Sequence, residues 1–149
     1  GTSAHALMRE NPMPVCSPAL LAGAAQLTPQ AVAELPLLQQ TTRPYGWRQW
    51  FNAQGLNIAR DMSGPRYELF SMLAQAAMHQ MGIALIPPFL IERELSEGRL
   101  VIASPHGYRS DKAYHLMIPE RRVESSALLA FRDWLIREAE LYADANGLK

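Results

Sequence analysis

Residues 77–101 read AMHQMGIALIPPFLIERELSEGRLV and combine a helix end, a glycine, a short apolar run, two prolines and a second short helix. The run at 83–86, IALI, is too short for a helix and too apolar for a half-exposed strand, which predicts a strand buried on both faces. Pro87 and Pro88 have no N–H group for a strand ladder, so the strand ends there. This stretch therefore predicts a strand inside a sheet covered by helices.

Strands and helices are predicted to alternate along the rest of the chain. The predicted strands are residues 13–16, 36–40, 57–62, 83–86, 100–103 and 113–118. The predicted helices are residues 18–22, 29–35, 47–55, 66–81, 89–97 and 124–145. This alternation is typical of an α/β protein with a largely parallel or mixed sheet.

The composition excludes several functional classes. The 149 residues are 48% hydrophobic and 19% charged, as expected for a globular protein. Fourteen basic side chains balance fourteen acidic ones, so the chain lacks the charge excess with which a surface binds nucleic acid unaided. One cysteine, no apolar stretch of membrane-spanning length and no signal-peptide pattern predict a cytoplasmic protein without a membrane segment.

Two loops offer groups that could hold an anion. Thr41, Thr42 and Arg43 follow a predicted strand, and ligands of open α/β sheets bind beyond the carboxyl ends of strands. Residues 63–66 (Ser63, Gly64, Pro65 and Arg66) are predicted to follow another strand and to open the helix at 66–81, where backbone amides favour an anion. The alternative is that Ser63 only caps the helix and Arg43 only pairs with a surface acid.

Catalytic motifs are lacking in the sequence. It contains no Cys-x-x-Cys, His-Glu-x-x-His, Gly-x-Ser-x-Gly or phosphate-binding glycine loop. Cys16 could act as a nucleophile with His79, His106 or His115, but a small apolar role at a strand end is the preferred interpretation. We expect no enzyme activity, no metal site and no cofactor.

A set of short motifs in a fixed order resembles one known family. The motifs are PVCSPALL at 14–21, LQQTTRP at 38–44, WRQWF at 47–51, GPRY at 64–67, MGIALIP at 81–87, ELSEGRLV at 94–101, YHLMIP at 114–119 and FRDWL at 131–135. This order resembles the effector-binding domain of LysR-type transcriptional regulators, and is most similar to the branch with the glycine-cleavage activator and the β-lactamase regulators.

The resemblance implies a lobe like that of a type 2 periplasmic binding protein, with a mixed sheet flanked by helices. It implies that residues 14–114 form regulatory lobe II, and that residues 1–13 and 115–149 are remnants of lobe I. The sequence lacks the helix-turn-helix and the first part of lobe I, so we expect a truncated domain that binds an effector weakly.

The resemblance also implies a function, which is to sense a small, anionic effector in the cleft between two lobes and to control transcription. Residues 41–43, residues 63–66 and Tyr114 match cleft-lining positions. DNA would be bound only through the absent helix-turn-helix, and the protein would be a homodimer or homotetramer. We expect pairing of copies around Leu128, Phe131 and Leu135. A solute-binding protein of a transport system, which shares the fold, is the alternative.

Overall fold

The computed structural model describes residues 1–120 and 125–149. Contacts divide the chain into two compact units, a larger one (Asn11–Arg109) and a smaller one (Gly1–Glu10 with Ser110–Lys149). Both boundaries lie a few residues before those expected from the sequence. The assignment of residues 1–13, 14–114 and 115–149 to regulatory lobes stays a prediction.

Seven strands and five α-helices lie in the described part of the chain. The strands are β1 (Thr2–Arg9), β2 (Met13–Cys16), β3 (Leu37–Gln40), β4 (Arg66–Tyr67), β5 (Ile83–Ile86), β6 (Val101–Ile102) and β7 (Ala113–Pro119). The helices are α1 (Pro29–Glu34), α2 (Gly46–Ala53), α3 (Phe70–Met78), α4 (Glu92–Ser96) and α5 (Ser126–Asn146), and 3-10 turns lie at Pro18–Leu21 and Pro88–Leu90.

The larger unit is built on a five-stranded sheet with the order β4-β3-β5-β2-β6. β3 runs parallel to β4 and β5, whereas β2 runs antiparallel to β5 and β6. The ends of β3, β4 and β5 and the start of β2 therefore lie at one edge of the sheet, the carboxyl edge. The starts of β3, β4 and β5 lie at the opposite edge, the amino edge. The mixed α/β arrangement confirms the predicted fold class.

One face of this sheet is covered by an aromatic cluster on α2. Trp47, Trp50 and Phe51 recur at helical spacing, are buried, and have ring centroids 5.1 to 5.6 Å apart. The indole N–H groups donate to the carbonyls of Leu38 (2.9 Å) and His106 (2.7 Å). Truncation of one such ring costs about 3 to 5 kcal/mol, so this cluster is a main source of stability.

The opposite face of the sheet is covered by α3. Leu73 and Ala77 of α3 are buried against Leu38, Ala84 and Ile86 of the sheet. All four residues of β5 are buried, as the apolar run predicts, and the chain leaves the sheet at the two prolines. Both faces of the sheet are therefore covered by helices.

The strand predicted at residues 57–62 is wrong. The segment forms turns, and the buried carboxylate of Asp61 accepts two hydrogen bonds from Arg48 at 2.9 and 3.0 Å. The backbone carbonyl of Asp61 accepts a further bond of 3.0 Å from the side-chain amide of Gln39. These tertiary bonds replace a strand ladder as partners for the segment.

The helix predicted at residues 66–81 begins at Phe70 and ends at Met78. Arg66 and Tyr67 instead pair with the end of β3 as the short strand β4. The pairing joins residues far apart in the sequence, so local apolar spacing cannot detect it. The spacing therefore predicts that the helix begins at residue 66, four residues before its observed start.

The smaller unit consists of the antiparallel ribbon β1–β7 and the helix α5, which packs on β1. Local composition does not predict β1; the strand depends on pairing with β7. Ser125 caps α5 by accepting a 3.1 Å bond from the amide of Leu128, and the left-handed Gly147 ends it. The predicted first residue of this helix, Glu124, lies outside the described residues.

Large apolar side chains are exposed on α5. Phe131, Trp134 and Leu141 are about half exposed or more, and the rings of Phe131 and Trp134 lie 5.9 Å apart. Leu128 and Leu135 are partly buried. Pairing of copies through this helix stays a prediction. Across residues 1–120 and 125–149, no helix combines the length and the apolar character that a membrane crossing requires.

Gly64 occupies a position that only glycine fits. Its φ of +102° is disfavoured for other residues, and an added Cβ would overlap the carbonyl oxygen of Leu37. We expect Gly64→Ala to lower the free energy of unfolding by about 3 kcal/mol, measured by urea denaturation. Gly55→Ala is the matched control, since Gly55 has a φ of +73° with nothing within 4 Å of an added Cβ. It should cost about 1 kcal/mol. Equal losses would contradict the close approach at Gly64.

Candidate functional site

Several polar segments meet at the carboxyl edge of the larger unit. The residues that follow β3 (41–45), the residues that follow β4 (68–69) and the residues that precede β2 (11–12) all lie at this edge because of the strand directions. Ligands of open α/β sheets bind beyond this edge. The carboxyl edge is therefore the candidate functional site.

The loop after β3 is held by hydrogen bonds to neighbouring segments. The amide and the hydroxyl of Thr41 donate to the carbonyl of Tyr67 at 2.9 and 3.2 Å. The amide and the hydroxyl of Thr42 donate to the side-chain oxygen of Gln40, both at 2.6 Å. Arg43 donates from Nη1 to the Thr42 hydroxyl oxygen at 2.6 Å. The predicted residues Thr41, Thr42 and Arg43 therefore form one ordered loop.

The guanidinium of Arg43 lies at the start of α3. Its central carbon is 4.9 Å from the centroid of the Phe70 ring, a cation–π arrangement, and Phe70 is the first residue of the helix. The N-cap residue of α3 is Leu69, whose apolar side chain forms no capping hydrogen bond. A helix start presents backbone N–H groups and a partial positive charge, so the guanidinium and the helix start both favour an anion.

A narrow pocket lies next to this loop. Its lining includes Pro12, Gln40, Arg43, Trp47 and Tyr108, and its cavity volume is about 10 Å³. Such a volume holds about one water molecule. Most of any metabolite bound by Arg43 would therefore lie outside this pocket, along the surface of the edge.

The second predicted loop runs alongside β3. Gly64 packs against the carbonyl of Leu37 at the start of β3, and Arg66 pairs with Gln39, two residues before the loop at 41–43. From Leu37 to Thr41 the strand rises roughly 13 Å, so Gly64 lies away from Arg43. The turn precedes β4 instead of following the strand predicted at 57–62, and a crevice shared by both loops stays a prediction.

The polar groups of this second loop have structural partners. The Ser63 hydroxyl donates to the carbonyl of Arg60 at 2.7 Å, and the Ser63 carbonyl accepts a 2.7 Å bond from Gln39. Arg66 begins β4, and its side chain is exposed. Ser63 does not cap α3, because the helix begins at Phe70, seven residues after Ser63. Binding of an effector by Ser63, Gly64 or Arg66 stays a prediction.

Tyr114 lies in the smaller unit, in β7, where it pairs with Met8 of β1. Its side chain is partly buried. Its role in effector binding stays a prediction.

Cys16 is fully buried at the end of β2. Burial raises the pKa of the Cys16 thiol to about 11, so the thiolate that a nucleophile requires is scarce at neutral pH. This burial agrees with the preferred apolar role of the residue. Among the residues that the structure describes, no three His, Cys, Asp or Glu side chains cluster as metal ligands would.

Two further residues, Gln40 and Phe70, complete the carboxyl edge and were not predicted as site residues from the sequence. Gln40 binds the loop at Thr42, and its side-chain amide also donates to the carbonyl of Glu68 at 2.9 Å. The ring of Phe70 makes a cation–π contact with the guanidinium of Arg43. The available signal was the pair of glutamines that ends an otherwise apolar strand, since a buried amide needs hydrogen-bond partners.

The mixed sheet between two helical layers, with polar loops at its carboxyl edge, defines a ligand-binding α/β domain of the type 2 periplasmic-binding-protein class. Residues 1–140 match the LysR substrate binding domain, and the chain belongs to this family. This membership confirms the resemblance found in the sequence.

Two curated relatives are 33% identical to the chain. The glycine cleavage system transcriptional activator of Escherichia coli K12 matches over 140 residues, which are 93% of this chain and 46% of the relative. The transcriptional activator AmpR of Rhodobacter capsulatus matches over 130 residues, which are 86% of this chain and 43% of the relative. The chain thus spans less than half the length of these relatives. Both are transcriptional regulators and not enzymes, which supports the expected non-enzymatic role.

Solved structures show the same fold. The effector domain of the transcriptional regulator AmpR of Pseudomonas aeruginosa aligns with a TM-score of 0.83 and 27% identity, over 98% of this chain and 69% of that domain. The regulatory domain of CrgA from Neisseria meningitidis aligns with a TM-score of 0.66 and 20% identity, over 93% of this chain and 69% of that domain. The second similarity shows the fold alone.

The raised pKa of Cys16 predicts slow alkylation of the folded protein. At pH 8, iodoacetamide should modify Cys16 more than about 100-fold more slowly in the native chain than in urea, because a pKa near 11 leaves about 0.1% thiolate and burial blocks access. Mass spectrometry of quenched samples measures both rates. Equal rates would show that Cys16 is accessible and would restore it as a candidate nucleophile.

Proposed function

We propose that this chain is the ligand-sensing regulatory part of a LysR-type DNA-binding transcription factor and that it binds a small anionic effector at the carboxyl edge of the larger unit. Membership of the LysR substrate binding domain family supports the first statement. The observation that carries the second is the guanidinium of Arg43 over the Phe70 ring at the uncapped start of α3.

A carboxylate at this place would meet two kinds of donor. The guanidinium of Arg43 is a planar fork that matches two carboxylate oxygens. The first backbone amides of α3 point out of the helix start. The hydroxyl protons of Thr41 and Thr42 are used within the protein, on the carbonyl of Tyr67 and on Oε1 of Gln40. Each charge-assisted hydrogen bond contributes about 1.5 to 3 kcal/mol, so two or three of them suffice for a weak site.

The small size of the adjacent pocket limits the affinity of this chain alone. Pockets that bind metabolites tightly bury most of the ligand surface, whereas the pocket beside Arg43 holds about one water. We therefore propose that in the complete protein the carboxyl edge forms one wall of the inter-lobe cleft predicted from the sequence, with Tyr114 as a further contact. Ser63 and Gly64 are not part of this site, because Ser63 bonds to Arg60 and Gln39 and Gly64 packs at the start of β3; Arg66 is not part of it because Arg66 begins β4 beside Gln39.

Control of transcription would follow from a shift between two states of the complete regulator. An effector that binds one state tenfold more tightly shifts the equilibrium by about 1.4 kcal/mol. DNA would be read by a helix-turn-helix in the complete protein, in keeping with the balanced charge of this chain. A homodimer or homotetramer in the cytoplasm is part of the same proposal.

The anion site can be tested on this chain with inorganic sulfate as the probe. We expect sulfate to shift the amide signals of Thr42, Arg43 and Ser71 in ¹⁵N NMR spectra, recorded at constant ionic strength against chloride. Arg43→Ala should weaken sulfate binding at least about 10-fold, because the charged donor is lost.

Two control variants make this result specific. Arg93→Ala removes a well-exposed arginine that pairs with Glu97 on α4, and it should leave sulfate affinity unchanged. Arg66→Ala removes the exposed arginine of the second predicted loop and should also have no effect on sulfate affinity. Loss of sulfate binding in Arg66→Ala but not in Arg43→Ala would refute the proposed location.

In the complete regulator, Arg43→Ala should abolish the transcriptional response to the effector while operator binding, measured by gel shift, is retained. The reason is that Arg43 contacts the ligand in this proposal and has no part in DNA recognition. An unchanged response would show that Arg43 is not an effector contact, and loss of operator binding would indicate a structural role instead.

A further inference from the structure

Gln40 is buried at the end of β3, only 7% exposed, and its side chain bonds two segments of the carboxyl edge. Its Oε1 accepts from the amide and the hydroxyl of Thr42, both at 2.6 Å. Its Nε2 donates to the carbonyl of Glu68 at 2.9 Å, two residues before α3 begins. One amide therefore connects the loop that carries Arg43 with the chain that leads into the helix.

The partners dictate which way this amide points. The backbone N–H of Thr42 can only donate, so it must meet the oxygen of the Gln40 side chain. The carbonyl of Glu68 can only accept, so it must meet the nitrogen. The reversed amide would place donor against donor and acceptor against acceptor, so the orientation is unique.

The same logic fixes the hydroxyl of Thr42 and the guanidinium of Arg43. Arginine can only donate, so the Thr42 oxygen accepts from Nη1 of Arg43 at 2.6 Å. The Thr42 hydroxyl proton is then directed to Oε1 of Gln40. A chain of hydrogen bonds therefore links the guanidinium of Arg43 through Thr42 to Gln40.

The neighbouring residue Gln39 has a different task. It is equally buried, but successive side chains of a strand point to opposite faces, and its Nε2 donates to the carbonyls of Asp61 (3.0 Å) and Ser63 (2.7 Å). Those bonds hold the turns that lead to the amino edge. Gln39 is therefore an internal control of the same residue type, strand and burial.

We infer that Gln40 is a positioning residue for the anion site, and that it acts by holding the Arg43 loop in register with the start of α3. This inference rests on the proposed function for its ligand, but the placement of the loop can be measured without any ligand. The glutamine amide offers both an acceptor for Thr42 and a donor for Glu68, whereas an ionised glutamate would offer only acceptors.

The experiment compares Gln40→Met with Gln39→Met, each of which keeps the side-chain length and removes the amide. Both should lower the melting temperature by similar amounts, since each removes the hydrogen bonds of a buried side-chain amide. Only Gln40→Met should accelerate amide hydrogen exchange at Thr42 in the ligand-free chain and weaken sulfate binding about 5- to 10-fold by NMR titration.

Thr42→Val and Thr42→Ser provide a second route in case Gln40→Met does not fold. Thr42→Val removes the hydroxyl that links Arg43 to Gln40 and should weaken sulfate binding as Gln40→Met does. Thr42→Ser keeps the hydroxyl and should retain the affinity of the wild-type chain. Equal affinities for the valine and serine variants would overturn the inference.

The remaining outcomes separate this inference from the proposed function. If the wild-type chain does not bind sulfate at Arg43, the proposed anion site fails, and exchange at Thr42 alone decides the role of Gln40. Faster exchange in Gln40→Met than in Gln39→Met then supports positioning, and equal exchange overturns it. If sulfate binds and both glutamine variants weaken it equally, Gln40 is only a structural residue.

Discussion

A buried amide must find hydrogen-bond partners, and the larger unit is organised around two such amides in sequence, Gln39 and Gln40. Leaving one of these groups unsatisfied costs about 1 to 3 kcal/mol, a large part of the stability of a small domain. Because side chains alternate along a strand, the two glutamines bind segments on opposite faces of β3. Gln39 bonds to the carbonyls of Asp61 and Ser63, and Gln40 bonds to Thr42 and to the carbonyl of Glu68.

The proposed site differs from an enclosed pocket in where its specificity would arise. A guanidinium and a helix start present donors along an edge, and the pocket beside them holds about one water molecule. Such an arrangement selects a ligand by its negative charge more than by its shape. Recognition of the rest of an effector would come from surfaces beyond this edge, so relatives with the same edge could respond to different molecules.

Much of the fold could be predicted from local sequence signals. The buried strand β5 follows from four apolar residues between Gly82 and Pro87, and the start of α1 follows from Thr28 and Pro29 as cap and first turn. The strands β1 and β4 could not be predicted, since they depend on pairing with residues distant in the sequence. The same limit applies to the candidate site. Arg43 could be predicted because it follows a strand that local signals indicate. The contact with Phe70 could not, because the start of α3 at Phe70 depends on the pairing of β4 with β3.

The aromatic cluster on α2 has an optical consequence. Trp47 is buried, lines the narrow pocket beside Arg43, and is bonded through its indole to the carbonyl of Leu38. Its emission should be blue-shifted and sensitive to charge brought near the guanidinium, while Trp134 on α5 is half exposed and should emit at longer wavelength. The chain therefore contains two buried tryptophans in contact, Trp47 and Trp50, of which Trp47 lies beside the proposed site, and a third, spectrally distinct tryptophan in the smaller unit.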